Sequence, residues 1–316
     1  MYHDYSMHKI MEDLKSPGKK NFILDTDTYN EIDDQFAITY AMLSDNINLL
    51  ALTAAPFFNS RSESPADGQR KSYDEMVRVR DFVDPDGKMN IPCYRGAEDY
   101  MKNIITPQRS EAAENIVRIV KETDGIVYIG AIGCYTNVAS ALLMDPSIMD
   151  KVVVVIIGSN KFEHHTNREF NLMQDCASAR VIFECGVPVI VLPAVDGTER
   201  LYTTTAEAYY YLKGGKAGKI GDYLCKIFAD DEGEPDDGNN NCCTHLRSIW
   251  DLGAVAMLRL ADRIGDVKIV PARTVTADGV LWREINDGRE MIYVNRFDRN
   301  TIMSDFYTVI RKADLK

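Results

Sequence analysis

A run of six β-branched apolar residues constrains the fold of this chain more than any other segment. Residues 152–157 read VVVVII, so the side chains on both faces of the segment are apolar. Strands of this kind are buried on both faces and belong to parallel sheets that helices cover. Similar, less regular apolar runs predict further strands at Asn21–Leu24, Ile47–Ala54, Ile126–Ile129 and Val187–Leu192.

Segments with helical periodicity lie between these runs. Apolar residues recur there at intervals of three and four, which predicts helices at Asp33–Leu43, Glu111–Glu122, Thr136–Met144 and Asp175–Cys185. Strands that alternate with helices indicate βαβ units. We therefore predict an α/β fold with a mainly parallel central sheet, helices on both faces and a small helical lobe. Further helices are predicted at Thr204–Leu212, Lys219–Phe228, Leu246–Leu260 and Arg299–Arg311.

The chain divides into a short extension and one large domain. Residues 1–20 read as a polar N-terminal extension, and residues 21–316 as a single domain. A lobe at about 200–245 combines helices with the acidic loop ADDEGEPDDGNNN, which is typical of a solvated loop. Since 45% of the 316 residues are hydrophobic, the chain has enough apolar side chains to form one large core.

Charge and cysteine content exclude several classes of protein. Lys and Arg total 36 and Asp and Glu total 48, which gives a net charge of −12 and disfavours nucleic acid as a partner. No apolar run approaches the roughly 20 residues of a membrane-spanning helix, and the N-terminus lacks the apolar core of a signal peptide. Seven cysteines without a CxxC pair indicate reduced thiols. We expect a soluble, cytoplasmic protein without a membrane partner.

Four aspartates crowd into one loop after the first predicted strand. The segment FILDTDTYNEIDDQFA carries Asp25, Asp27, Asp33 and Asp34. Ligand sites of parallel sheets lie at the carboxyl ends of strands. Carboxylates packed this closely repel one another, and a divalent cation most simply relieves that repulsion. Asp33 taken alone could instead cap the helix that begins there.

This loop resembles the N-terminal signature DxDxGxDDxxA of the inosine–uridine-preferring nucleoside hydrolases. Its spacing to the aspartate pair is two residues longer than the family pattern, and the usual Pro-Gly is missing, which indicates a distinct branch. Three further segments follow in the family's order and resemble its G-x-LTN-A, EFN-x-x-x-D and late HD motifs. They read GAIGCYTNVASAL, TNREFNLMQDCASAR and IWDLGAVA.

The resemblance implies a Ca²⁺ site and a hydrolytic reaction. It implies that Asp27, Asp34 and Asp251 supply carboxylates to the ion and that Thr136 supplies a main-chain carbonyl. Such oxygen donors suit Ca²⁺. Asp33 beside the metal would accept the proton of the attacking water. The expected reaction is cleavage of the base–ribose bond of a nucleoside, a small-molecule substrate, by a homodimer or homotetramer active in nucleoside catabolism and purine salvage.

The resemblance implies that Asn59, Glu169 and Asn171 bind the substrate, and Glu169 and Asn171 would hold its ribose. Asn59 follows the second predicted strand, while Glu169 and Asn171 belong to the EFN motif. Read from the residues alone, Glu169 could equally be an acid at a helix start, and Asn171 a turn residue. Asp25 is expected to hold the loop or to hydrogen-bond a ligand, and Asp175 to cap its helix.

Trp250 is the main departure from the family pattern. Many members carry a histidine there, which is thought to protonate the departing base, whereas an indole cannot act as an acid. Trp250 is expected to stack on the base, which favours purines. The proton donor is then sought in His164 and His165, which precede the EFN motif, with Glu163 and His245 as alternatives.

Two other functions stay open at this stage. Without a proton donor, the same pocket could belong to a Ca²⁺-dependent nucleoside- or sugar-binding protein. The segment FILDTDTY also resembles the first motif of haloacid-dehalogenase-like phosphatases, with Asp25 as the nucleophile. That class needs a late GDxxxD motif, and Gly265-Asp266 lacks the second acid.

Overall fold

A computed structural model of the chain describes residues 6–213, 217–230, 246–313 and 315. The helices of this part are α1 Met7–Lys15, α2 Asp33–Leu43, α3 Pro65–Val83, α4 Glu111–Glu122, α5 Thr136–Met144, α6 Phe170–Gln174, α7 Cys176–Glu184, α8 Thr205–Leu212, α9 Gly218–Asp230, α10 Leu252–Arg259 and α11 Arg299–Lys312. The strands are β1 Lys20–Thr26, β2 Ile47–Ala54, β3 Cys93–Arg95, β4 Val127–Ala131, β5 Val152–Ile157, β6 Val189–Leu192, β7 Tyr202–Thr204, β8 Leu246–Ser248, β9 Gly265–Pro271, β10 Arg273–Val275, β11 Trp282–Glu284 and β12 Glu290–Phe297.

Eight of these strands form one central sheet in the order β3-β2-β1-β4-β5-β6-β12-β9. All neighbours are parallel except β12 and β9, which are antiparallel. Every residue of β5 is buried, as the run of valines and isoleucines predicts. The predicted α/β fold with a mainly parallel sheet is confirmed.

Hydrophobic cores lie on both faces of the sheet. Phe22 and Leu24 of β1 pack into one core, which α1, α2, α3, α8, α9, α10 and α11 share. Ile23 between them packs into the other core, with α4, α5 and α7. This alternation follows from the two-residue period of a strand. The parallel strands therefore end together at one edge, where their loops are free to form a site.

The N-terminal segment differs from the polar extension that the sequence predicts. Residues Met7–Lys15 form α1, and Met7, Ile10 and Leu14 on one face are buried. The hydroxyl of Ser6 caps the helix by accepting from the backbone N–H of Lys9 at 3.3 Å. The helix is short and half of it is charged, so its apolar stripe is hard to recognise in the sequence.

The segment Leu246–Leu260 was predicted as one helix, and that prediction is wrong. Leu246–Ser248 form β8, which pairs with β7, and the helix begins only at Leu252. A strand of three residues is too short to show a period. Its pairing partner β7 lies more than 40 residues earlier in the chain, so no local pattern reveals it. The break places Trp250 and Asp251 in the turn before α10. Helix α3 was not predicted, because its buried face alternates with many charged residues.

Several sequence predictions concern residues outside the described ranges. These are His245, Cys242, Cys243 and most of the acidic loop at 229–241. The five cysteines that the structure describes are free thiols. In the described ranges, no helix combines the length and apolar character needed to cross a membrane.

Candidate functional site

A cavity of about 260 Å³ opens at the carboxyl edge of the sheet. Loops that follow β1, β4, β5 and β6 surround it, together with the turn before α10. Carboxyl ends of parallel strands are the usual place for a ligand site. Its walls are formed by Asp27, Asn30, Glu31, Asp33, Asp34, Ile132, Ile157, Asn160, Arg168, Glu169, Phe170, Asn171, Ala194, Val195, Trp250 and Asp251.

Three aspartates from distant parts of the sequence converge in this cavity. Asp33 and Asp34 open α2, and Asp251 directly precedes α10, which packs against α2. One carboxylate oxygen of each lies within 4.8 Å of the others, and all three side chains are buried. The backbone N–H of Asp251 donates to Oδ2 of Asp33 at 3.3 Å, so the two helix starts hold each other in place.

Asp27 lies beside this group, at the end of β1. Its side chain is buried, and Oδ2 has no hydrogen-bond partner among the described residues. The loop after β4 passes directly over it at Gly133, where a Cβ would lie only 2.9 Å from the Asp27 carboxyl carbon. A glycine is therefore required at 133, because any side chain would displace Asp27.

Burial and mutual repulsion raise the pKa values of these acids, although the charge of Arg247 opposes the shift at Asp33. Burial raises the pKa of Asp27 well above its ordinary value, and the charges of Asp34 and Asp33 raise it further. Burial also raises the pKa of Asp34 to about 7, although the Thr26 hydroxyl donates to it at 2.5 Å. Burying several carboxylates together is costly unless a cation compensates them.

The donor set fits a hard divalent cation. Ca²⁺ binds oxygen ligands at 2.3–2.6 Å, so ligands on opposite sides of the ion are roughly 4.6–5.2 Å apart. The spacing of the Asp33, Asp34 and Asp251 oxygens, within 4.8 Å, is compatible with such a shell. The unpartnered Oδ2 of Asp27 offers a further ligand. Asp27, Asp34 and Asp251, the residues predicted as metal ligands, all line this one cavity.

Asp25 lies behind the cavity and ties three elements together. Its Oδ1 accepts from the Thr53 hydroxyl of β2 at 2.5 Å and from the Asn137 amide of α5 at 2.9 Å. Burial raises the pKa of Asp25 to about 7, and the two hydrogen bonds oppose that shift. Asp25 does not line the cavity, so its contacts are those of a residue that holds the loops.

Glu169 and Asn171 form a second wall of the cavity. The carboxylate of Glu169 caps α6, and it accepts from the backbone N–H groups of Ser159, Asn171 and Leu172 at 3.0–3.1 Å. Burial raises the pKa of Glu169 to about 7. Glu169 is therefore the acid that caps the start of α6, which is one of the two roles that the sequence left open. The side chain also lines the cavity.

The amide of Asn171 is oriented by the main chain. Its Nδ2 donates to the carbonyls of Ile132 at 2.8 Å and Ile157 at 3.2 Å. These carbonyls end β4 and β5, so the amide bridges two neighbouring loops. These two hydrogen bonds use both N–H groups of the amide. The side chain lines the cavity, so its amide oxygen is the polar atom that remains for a ligand.

Thr136 and Asn59 do not line the cavity. Thr136 opens α5 with a fully buried side chain, and its hydroxyl donates to Asp175 at 2.6 Å. Asn59 donates from its amide to Oδ1 of Asn30 at 2.6 Å, and Asn30 does line the cavity. Asn59 therefore reaches the site through another side chain. Asp175 caps α7 as predicted, by accepting from the backbone N–H of Ser178 at 2.9 Å.

His164 and His165 also lie outside the cavity wall. Their rings are 4.5 Å apart, and Nδ1 of His164 is 2.9 Å from the carbonyl oxygen of Thr166. His164 is half-buried and His165 is exposed. Asn160 and Arg168, at the two ends of this loop, do line the cavity. The assignment of a proton donor to these histidines stays a prediction.

Trp250 lines the cavity directly beside Asp251. The guanidinium carbon of Arg247 lies 5.6 Å from the centre of the Trp250 ring. Arg247 also forms an ion pair with Glu31 at 2.8 Å. Arg247 thus contacts the indole and is itself held by Glu31, in the loop after β1.

Sequence reasoning missed Asn30, Glu31, Asn160, Arg168 and Phe170 as cavity residues. Asn160 could have been found, because it follows the end of β5 just as the aspartates follow β1. Asn30 and Glu31 lie between the aspartates that the motif names, within the lengthened loop. No motif identifies Arg168 or Phe170, whose positions depend on the path of the loop after β5.

Comparison with known proteins gives a consistent result. The family model described as inosine-uridine preferring nucleoside hydrolase matches residues 22–299. Probable uridine nucleosidase 2 of Arabidopsis thaliana is 28% identical over 236 residues, which is 66% of this chain and 69% of that protein. Pyrimidine-specific ribonucleoside hydrolase RihB of Escherichia coli (strain SE11) is 25% identical over 217 residues, 64% of this chain and 68% of that protein.

Solved structures show the same fold. The purine-preferring ribonucleoside hydrolase from Gardnerella vaginalis superposes with a TM-score of 0.73 at 20% identity, covering 94% of this chain and 99% of that one. An inosine-guanosine nucleoside hydrolase superposes with a TM-score of 0.71 at 18% identity, covering 92% and 98% of the two chains. At these identities the likeness concerns the fold alone.

Proposed function

This chain belongs to the inosine-uridine preferring nucleoside hydrolases, and from that premise we propose how its site works and what it prefers. The chain is a hydrolase that acts on N-glycosyl compounds, and the family supports cleavage of ribonucleosides into base and ribose. We propose that the reaction depends on Ca²⁺, held by the carboxylates of Asp27, Asp34 and Asp251. The carbonyl of Thr136 is proposed as the neutral ligand.

One observation carries this proposal: several buried carboxylates meet beyond the end of β1, and none of them forms an ion pair with a described residue. Carboxylate oxygens of Asp34 and Asp251 lie within 4.8 Å of each other, close enough to share one ion, and an oxygen of Asp33 lies equally near them. Oδ2 of Asp27 is buried without a hydrogen-bond partner among the described residues, which argues for a ligand at that atom. Gly133 keeps the loop before α5 against Asp27, which supports a ligand from that loop.

The chain's own residues supply the acid–base chemistry and the grip on the sugar. A bound divalent cation would lower the pKa of a coordinated water and orient the ribose hydroxyls. Asp33, beside Asp34 and Asp251, accepts the proton of the attacking water. Buried acids around the anomeric carbon stabilise the positive charge of an oxocarbenium-like transition state. Glu169 and Asn171 accept hydrogen bonds from the ribose, and Asn59 positions Asn30 for the same task.

Trp250 supports a preference for purine nucleosides. Its ring lines the cavity beside Asp251, where it can stack on a base, and such stacking contributes roughly 1–3 kcal/mol per base. Purines offer the larger face. The test is a nucleoside panel assayed for released ribose, with kcat/KM compared between inosine or guanosine and uridine or cytidine. We expect the purine nucleosides to be favoured in the wild type and the difference to shrink in Trp250→Ala.

A preference for uridine is the second candidate, because the curated relatives favour it. The Arabidopsis protein is named a probable uridine nucleosidase and the Escherichia coli protein a pyrimidine-specific hydrolase. Higher kcat/KM for uridine than for inosine would support this candidate and contradict the stacking argument. Release of ribose from none of the nucleosides would contradict the hydrolase function itself.

We further propose that the enzyme is a homodimer or homotetramer, as the resemblance implies, and that it works in the cytoplasm in nucleoside catabolism and purine salvage. The free thiols of the described cysteines support a reducing compartment. We also propose that residues 21–316 form one domain, with a lobe at about 200–245. Light scattering of the full chain measures the assembly, and a monomeric mass would contradict it.

A further inference from the structure

For one step of the proposed reaction, the departure of the base, none of the predicted proton donors lines the cavity in the described part of the chain. Trp250 stands where the resemblance expects a proton donor, and an indole cannot act as an acid. Within the described part of the chain, no histidine lines the cavity. A base that is not protonated leaves with the electron pair of the broken bond, so it carries negative charge. The following inference rests on the proposed function.

Arg168 is the one cation among the described residues that line this otherwise acidic cavity. Its side chain is exposed and forms no ion pair with any described residue. Outside the cavity, its charge acts on Asp278, on the turn after β10. Hydrogen bonds from Thr276 and from the N–H of Val280 lower the pKa of Asp278, and the charge of Arg168 lowers it further. The guanidinium thus remains available to a ligand in the cavity.

The sheet order separates the loop that carries Arg168 from the loop that carries the aspartates after β1. Asp27, Asp33 and Asp34 follow β1, whereas Arg168 follows β5, and β4 lies between these two strands. Water that attacks from the acid side drives the base away from that side, because attack and departure occur on opposite faces of the sugar ring. The departing base therefore moves away from Asp33, and Arg168 is the cation that lines another part of the same cavity.

We propose that Arg168 stabilises the departing nucleobase by charge-assisted hydrogen bonds to its oxygen or nitrogen acceptors. The bond between C1′ and the base nitrogen breaks, and its electron pair stays on the base. The oxygen of the attacking water bonds to C1′, and its proton passes to Asp33. Arg168 gives up no proton, because a guanidinium stays protonated in proteins. The released base takes its proton from solvent.

The test compares two leaving groups in matched arginine variants. In Arg168→Ala we expect kcat for inosine and uridine to fall roughly 10²-fold, the usual effect of losing one donor to a developing anion. Hydrolysis of 4-nitrophenyl riboside should change less than about 3-fold, because nitrophenolate already leaves readily. Arg168→Lys, which keeps the charge, should retain part of the nucleoside rate. Arg283→Ala removes an exposed arginine of β11 outside the cavity and should change neither substrate.

Each outcome decides the proposal. Equal losses on both substrates would show that Arg168 positions the sugar or supports the fold, and an unchanged nucleoside rate would show that it does not act; either result overturns the inference. If the wild type hydrolysed neither substrate, the proposed function would fail with it. Normal nucleoside hydrolysis by Arg168→Ala contradicts this inference alone.

The pH profile of the wild type gives a second readout that needs no variant. A histidine acid loses its proton at about pH 6.5, so kcat for inosine would fall above that pH. A guanidinium stays charged, and we expect kcat to hold a plateau from about pH 8 to about pH 10. The charged groups near Arg168 are Glu169 and Glu31, which line the same cavity, and Asp278 on the neighbouring turn. Burial raises the pKa of Glu169 to about 7, which is still below that range. A fall with a midpoint near pH 7 would overturn the proposal.

Discussion

Asp33 and Asp27 occupy different positions around the same cluster of acids. Asp33 opens α2 and accepts the backbone N–H of Asp251, whereas Oδ2 of Asp27 has no partner in the described chain. The proposal gives Asp33 the proton of the attacking water and gives Asp27 the ion. The two roles predict different losses on substitution, which makes the assignment testable residue by residue.

We expect Asp33→Ala to bind Ca²⁺ and a ribose-containing inhibitor while kcat falls roughly 10²–10⁴-fold, as for a lost general base. Asp27→Ala should instead weaken Ca²⁺ binding itself, because it removes an anionic ligand. Titration calorimetry with Ca²⁺ and steady-state kinetics on both variants separate the two effects. The assignment would be wrong if kcat stayed near normal in Asp33→Ala but fell strongly in Asp27→Ala at saturating Ca²⁺. That result would show that Asp27 is the base.

At the scale of elements, Asp25 joins β1 to β2 through Thr53 and to α5 through Asn137. Burial raises its pKa to about 7, above the value near 4 of an unfolded chain. Between about pH 4 and pH 7 the folded protein therefore binds more protons than the unfolded chain. Stability must fall as pH rises through that window.

We predict that the free energy of unfolding, measured by urea in the presence of a chelator, decreases from pH 4.5 to pH 7.5. Asp25→Asn, which cannot ionise, should show a shallower decrease. Asp262→Asn changes an exposed aspartate and should leave the wild-type slope intact. Identical slopes in Asp25→Asn and the wild type would mean that Asp25 does not bind the extra proton.

Helix α1 is the element for which the structure most changes the sequence-based account. Ile10 is fully buried, and α1 packs on α10 and β12. We expect Ile10→Ala to lower the free energy of unfolding by about 2–5 kcal/mol, the usual cost of emptying a buried isoleucine site. Ile105→Ala, at a site 77% exposed, is the matched control and should cost far less. Equal small effects would mean that α1 does not belong to the core.

The elements that the sequence predicted well share a physical feature. Strand β5 is apolar throughout and helix α4 has one apolar face, so their bounds follow from residues within each segment. Strand β8 and the turn at Trp250 depend on pairing with β7, which no local pattern records. The same division holds in the site, because Asp33 and Asp34 belong to a motif whereas Arg168 reaches the cavity only through the path of a loop.

At the scale of the whole molecule, this acidic protein, with a net charge of −12, brings six acidic residues to one cavity at an edge of the parallel sheet. Strands β1, β4 and β5 bring residues from 27 to 171 to that edge, and α10 adds Asp251 from the far end of the chain. A metal ion would therefore connect segments that are distant in sequence. Its removal should affect both catalysis and the stability of this edge.

The most direct test of the central claim is the steady-state release of ribose from nucleosides by the full chain, before and after the metal is removed. The account predicts hydrolysis by the enzyme as isolated, loss of activity in excess chelator, and recovery when Ca²⁺ is added back. Asp251→Ala should not recover under the same conditions, because its shell lacks one carboxylate. Undiminished ribose release in the thoroughly chelated protein would contradict the account.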